Sequence, residues 1–210
     1  MDFIVSNDRS IIQCNDPYYG LTCTRHQITK DDKEVFGRPR AEMSYSQQGL
    51  AIGDTVSYKF MVLVPDDIKS FNHEGEPTAL ALVQFHQNGN IQPGVPFALN
   101  VFGDTIRCSG YYPDGTQDGR WFDGIYDTYI PNEWLAWEIK VKWSYGDDGF
   151  YKVNRDGQRV YERTGPNCVP DPRGVPWFRW GPHQNADGFE SRQMNYVRYY
   201  FRDVVIEKVG

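Results

Sequence analysis

Residues 134–144 read Trp134-Leu135-Ala136-Trp137-Glu138-Ile139-Lys140-Val141-Lys142-Trp143-Ser144. Successive side chains of a strand point to opposite faces. Leu135, Trp137, Ile139, Val141 and Trp143 therefore form one apolar face, suited to a core. Trp134, Ala136, Glu138, Lys140 and Lys142 form the other. Gly146-Asp147-Asp148-Gly149 turns the chain into a second strand over 150–154, and Arg155-Asp156-Gly157 turns it again into a third over 158–163. Strands joined by such tight Gly/Asp turns pair antiparallel.

The pattern extends in both directions. Over 55–64 the apolar residues Val56, Tyr58, Phe60, Val62 and Val64 recur with period two. The run 78–86 is apolar on both faces until Gln84 and His86, the profile of a central strand whose end opens onto a cleft. Shorter runs at 3–6, 11–13, 21–29, 40–46, 97–102 and 105–111, the stretch 177–184 and the closing run 196–208 read the same way. Residues 30–39, 113–124 and 165–176 read as loops, the second Gly/Asp-rich and either mobile or facing substrate. No window of helical length carries a sustained apolar stripe. The expectation is an all-β antiparallel β-sandwich, a jelly roll of the concanavalin-like kind, in a single domain spanning 1–210.

Composition agrees. With 14 Tyr, 12 Phe and 6 Trp for pleated surfaces and 20 Gly and 13 Pro for turns, the 210 residues suit strands. A net charge of −6 argues against nucleic acid as a partner, and no apolar run approaches the roughly 20 residues that cross a bilayer, so no membrane contact is expected. A monomer is expected. Of the four cysteines, Cys14 and Cys23 suit a hairpin-like bridge, with reduced, partly buried thiols as the other reading.

Three strands carry chemistry. In Trp177-Phe178-Arg179-Trp180-Gly181-Pro182-His183-Gln184, Phe178 and Trp180 face a core, while Arg179, Gly181 and His183 face away. Gly181 leaves a gap where a ligand could approach the backbone. Gln84-Phe85-His86 sets Gln84 and His86 on one face. Arg38-Pro39-Arg40-Ala41-Glu42 does so for Arg38, Arg40 and Glu42. Side by side, these strands would gather Arg40, Gln84, His86, Arg179 and His183 into a surface able to bind and deprotonate an anion. Each part has a plainer reading: Arg40 and Glu42 as a surface ion pair, Gln84 and His86 as the polar end of a core strand, His183 as a surface histidine.

Taken together, these stretches resemble the jelly-roll polysaccharide lyases, nearest the heparin lyase I and glucuronan lyase group and more loosely the alginate lyases. Four landmarks fall in order: Arg40-Ala41-Glu42, Gln84-Phe85-His86, the run Trp137 to Ser144 followed by Asp148-Gly149, and the late stretch from Trp177. Gly165-Pro166-Asn167 also looks like the family. The resemblance covers about residues 38–208. It departs at the last motif, where the family's Lys-x-Gly-x-Tyr reads Arg179-Trp180-Gly181-Pro182-His183. Either His183 takes over the proton transfer of that Tyr, or Tyr111, Tyr126 or Tyr129 does, or the protein binds glycan without cutting it.

The resemblance implies β-elimination on a uronic-acid glycan. The C5 proton is a poor acid beside a carboxylate, so the site must neutralise that charge. Arg40 and Gln84 suit this task, with His86 as base or carboxylate partner and His183 in the Tyr position. Arg38, Glu42, Lys140, Lys142, Arg179 and Gln184 are the expected substrate contacts, and Arg107, Lys142 and Arg192 candidates for further carboxylates or sulfate. No cofactor is required, a structural calcium in the Asp-rich loops is compatible, and an anionic polysaccharide is the implied partner. A secreted or extracellular protein is expected, with a viral or cytosolic origin the other readings; residues 1–7 show no basic stretch followed by an apolar one, which fits either a protein not exported by that route or one whose leader has been removed. A noncatalytic glycan-binding sandwich is the rival. A glycoside hydrolase lacks its Glu-x-Asp-x-x-Glu run, and no HExxH, GxSxG or Gly-rich phosphate loop occurs.

Overall fold

The computed structural model describes residues 2–5, 10–35, 37–45, 49–68, 79–87, 95–112, 120–170, 174–183, 189 and 194–209, with backbone alone for 2–5, 112, 120–123 and 125–127. Fourteen strands are present among them: β1 Asp2–Val5, β2 Ile11–Asn15, β3 Thr22–Thr29, β4 Ala41–Tyr45, β5 Thr55–Leu63, β6 Ala79–His86, β7 Phe97–Phe102, β8 Thr105–Tyr112, β9 Arg120–Thr128, β10 Trp134–Lys142, β11 Phe150–Arg155, β12 Gln158–Thr164, β13 Trp177–Trp180 and β14 Tyr196–Lys208. They form two seven-stranded sheets, one ordered β1-β4-β13-β6-β7-β8-β9 and the other β12-β11-β10-β5-β14-β3-β2. Every pairing is antiparallel. This is the all-β sandwich expected.

The alternation of residues 134–142 appears as alternating burial along β10. Its inner residues meet those of the facing sheet in one apolar cluster. At the centre, Phe85 of β6 packs edge-on against Tyr58 at 4.8 Å and Trp143 at 5.1 Å, and lies 5.2 Å from Phe178 of β13. Each fully buried ring contributes about 1.5–3 kcal/mol by leaving water. These rings hold β6 and β13 at fixed depth, so the polar residues alternating with them are fixed on the outer face.

Two expectations, the loop over 113–124 and the gap at Gly181, need correction, and a third reading gains detail. Residues 120–128 form β9, although the run 113–124 reads as loop; Gly124 sits where a Cβ would lie 2.8 Å from the Tyr161 ring. Gly165-Pro166-Asn167 is a clamp. Asn167 is fully buried, donates from Nδ2 to the Lys142 carbonyl at 2.8 Å and accepts at Oδ1 from the Ser144 amide at 2.9 Å, pinning the end of β10. The gap at Gly181 is filled by the chain itself: a Cβ there would lie 2.1 Å from the Ala41 carbonyl oxygen and 2.6 Å from Nδ1 of His26.

Candidate active site

β13 lies between β4 and β6, and this adjacency builds the site. The register sets Arg179 beside both Gln84 and Ser44, Trp177 beside His86, and His183 beside Arg40. Facing residues of an antiparallel pair share a face. Arg40, Glu42, Gln84, His86, Arg179 and His183 therefore stand on one outer face, while Phe178 and Trp180 go to the core.

Glu42 is the centre of the group. It is fully buried, yet three polar side chains converge on its carboxylate. Arg40 donates from Nη1 to Oε2 at 2.6 Å, Gln84 donates from Nε2 to Oε1 at 2.6 Å, and His183 Nδ1 lies 3.4 Å from Oε1. The Arg40 Nε also donates to the Val35 carbonyl at 2.8 Å, which fixes the guanidinium. Burial pushes the Glu42 carboxyl upward, but His183, Arg40 and Arg179 outweigh it and bring its pKa to about 2. The carboxylate is charged throughout the physiological range and acts as an internal counter-ion.

His86 has the opposite setting. Burial first, and then the Arg179 charge, lower its pKa to about 4, against weaker pulls from the Gln87 backbone and Glu42. It is a neutral imidazole at pH 7. His26, which the sequence shows only as a scattered histidine, belongs to the core. Its Nδ1 is 3.0 Å from the Ala41 carbonyl oxygen, its Nε2 is 3.1 Å from Thr24 Oγ1, and its ring packs edge-on against Phe201 at 5.0 Å.

The expected catalytic set Arg40, Gln84, His86 and His183 is thus brought together, with Arg179 added. Other expected contacts are not. Glu42 has no exposed surface and holds its neighbours instead of meeting a ligand. Lys140 and Lys142 stand on β10 in the other sheet, paired in register with Ser57 and Thr55, and Lys142 donates to Asp148 at 2.6 Å. Arg38 bridges back to Val35 in a tight turn. Gln184 and Arg192 lie outside the described residues, as does the side chain of Tyr126. Period-two alternation predicts which residues share a face, but not which sheet a strand joins, and this misplaced the two lysines.

The polysaccharide lyase family model matches residues 6–201. The chain belongs to the polysaccharide lyase family, and it is an enzyme with lyase activity on polysaccharide. No curated protein matches it by sequence. Among solved structures it is similar to the endo-β-1,4-glucuronan lyase from the fungus Trichoderma reesei, with a TM-score of 0.76 and 15% identity over 99% of this chain and 90% of that one. It is similar also to the family 7 alginate lyase AlgAT5, with a TM-score of 0.65 and 12% identity over 97% of this chain and 84% of that one. A third, the family 7 alginate lyase A1-II′ in complex with a product, gives 0.65 and 13% over 97% and 85%. At such identities the likeness is one of fold.

Proposed function

We propose that the face built on β4, β13 and β6 is the catalytic centre, and that His183, backed by Glu42, moves the protons of the elimination. The observation that carries this reading is the buried Glu42 carboxylate, with Arg40, Gln84 and His183 all turned onto it. A buried carboxylate 3.4 Å from one imidazole nitrogen faces the cation that forms when the other nitrogen takes a proton, the electrostatic part of a carboxylate–histidine pair.

The uronate carboxylate binds against Arg179, Arg40 and the Gln84 amide. Preorganised donors there carry the charge that grows as the C5 proton leaves. Neutral His86 adds a ring N–H to the same carboxylate. His183 takes the proton from C5, and the electron pair of that C–H bond becomes the C4–C5 double bond. The C4–O4 bond breaks, and the proton held on His183 passes to the leaving O4. One proton is carried from C5 to O4, no net charge is created, and the products are an unsaturated uronate end and a new hydroxyl end. The substrate is an anionic uronan; its neighbours in fold include enzymes named for glucuronan and for alginate.

The test is ultraviolet absorbance from the unsaturated end, followed on glucuronan, alginate and heparin-like chains. The reading expects a rise on at least one of them. New reducing ends without that absorbance would instead mean hydrolysis, and retention on a uronan gel without either signal would mean a binding module.

A further inference from the structure

The register continues the site beyond the catalytic group. Gln84 of β6 pairs with Ala98 of β7, which pairs with Ser109 of β8. His86 follows Phe85, which pairs with Phe97, so its row runs to Pro96; Tyr111 donates its amide to the Val95 carbonyl beside it, at 3.1 Å. Ile106 and Cys108 of β8 belong to the core. The residues alternating with them, Arg107, Ser109 and Tyr111, therefore share the outer face with Gln84 and His86.

These three residues differ in chemistry, and the first two are held in place. The Arg107 guanidinium lies over the Phe102 ring, 3.3 Å from its centroid. Ser109 Oγ accepts from Asn100 Nδ2 at 2.8 Å, so its own hydroxyl is oriented. Tyr111 is 37% exposed, unusually open for an aromatic on a sheet face. In the row from Ser109 to Gln84 the β7 residue is the small Ala98, with Asn100 next on the same face, opposite Arg107.

The register points to a distal uronate subsite on β8, in which Arg107 takes a carboxylate, Ser109 a ring hydroxyl and Tyr111 the face of a pyranose ring. A single uronate residue presents all three features. Guanidinium groups read carboxylates by paired N–H donors, and aromatic faces stack on the C–H faces of sugars. β8 lies two strand spacings from β6, about 10 Å, too far for the sugar being cleaved and within reach of one further along the same chain. The subsite rests on the catalytic reading above, since it binds the remainder of that substrate. It gives the enzyme a need for an oligosaccharide that bridges β6 to β8.

The experiment compares wild type with Arg107→Gln, Arg107→Lys and Tyr111→Ala on uronan oligosaccharides of increasing length, with melting curves to verify folding. Retention of the same proteins on an immobilised uronan gel is measured in parallel. Arg107→Gln and Tyr111→Ala should each lower kcat/KM about tenfold or more on long chains, and change little on the shortest chain that is cleaved. Arg107→Lys should keep part of the effect, since it retains charge without the paired donors. A loss equal at all lengths, or no loss, overturns the subsite. If wild type cleaves nothing, the catalytic reading fails; the subsite then stands only if gel retention is real and weakened in Arg107→Gln, and falls otherwise.

Discussion

Glu42 of β4 accepts a 2.6 Å hydrogen bond from Gln84 of β6, although β13 runs between those two strands. The contact crosses the chain at Gly181, which the register sets opposite Glu42, since Trp180 pairs with Met43 and His183 with Arg40. His183 approaches the same carboxylate oxygen as Gln84, and Arg40 the other one. One buried charge thus ties three strands and the catalytic side chains into a single unit.

Glu42→Gln keeps the shape of that unit and removes its charge. Arg40, on the order of a tenth exposed, then lacks its counter-ion, and breaking a buried pair in this way costs about 3–5 kcal/mol. The variant should lose at least about a hundredfold in kcat, the scale of general acid–base help, with a smaller change in KM. Chemical denaturation and steady-state kinetics measure the two effects. An unchanged kcat in a folded variant would remove Glu42 from the mechanism.

Acid should expose the same charge. The Glu42 carboxyl has a folded pKa of about 2 against 4.5 in the unfolded chain. Its contribution is present above about pH 4.5 and is lost as pH falls toward 2, on the order of 3 kcal/mol in all. The wild-type melting temperature should drop across that window, and in Glu42→Gln the drop should be smaller. Equal slopes for the two proteins would contradict the assigned charge.

A second acid effect comes from His26. Its folded pKa is about 4 against 6.5 unfolded, through complete burial. The unfolded chain binds its proton first, so stability falls as pH drops from about 6.5 to about 4. His26→Gln, with an amide able to reach the same oxygens, should reduce the slope over this range to the share left by His86, whose pKa is also lowered to about 4, while leaving lyase activity near wild type. A variant with the wild-type slope over this range would show that His26 does not titrate there.

Gly181→Ala should be severe. Its φ of 115° is one that side chains avoid, and the new methyl would lie 2.1 Å from the Ala41 carbonyl oxygen. Backbone strain of this kind costs about 1–3 kcal/mol before the clash is added. β13 must shift, so melting temperature and activity should fall together. Retention of both would mean that the turn after β13 adapts.

Cys14 and Cys23 pair in register on β2 and β3, with sulfurs 3.6 Å apart. Glutathione disulfide should oxidise them to a disulfide, with loss of two hydrogens by mass and a modest rise in melting temperature from the shorter free loop. Peptide mapping that finds only other pairings would contradict this.

Much of this was legible in the sequence because strands obey period two. The alternation of residues 134–144 gave the sandwich its clearest strand, and the same rule put Gln84 with His86 and Arg179 with His183. Sheet order was not legible, because β4, β13 and β6 come together from chain positions far apart. Only that order reveals Glu42 as a buried hub instead of a substrate contact, and puts Lys140 and Lys142 on the other sheet. In the sequence Gly181 reads as a gap, but its packing against His26 of β3 needs the two sheets face to face. β9 was hidden because its Gly/Asp-rich approach carries turn residues.

The most direct test of the account is the ultraviolet absorbance time course of wild type beside His183→Ala, on whichever uronan the wild type cleaves, with both proteins shown folded by their melting curves. Proton transfer through His183 predicts a rise in wild type that falls by at least about a hundredfold in the variant. A rise of the same rate in His183→Ala would contradict it and move the proton transfer to another group on that face.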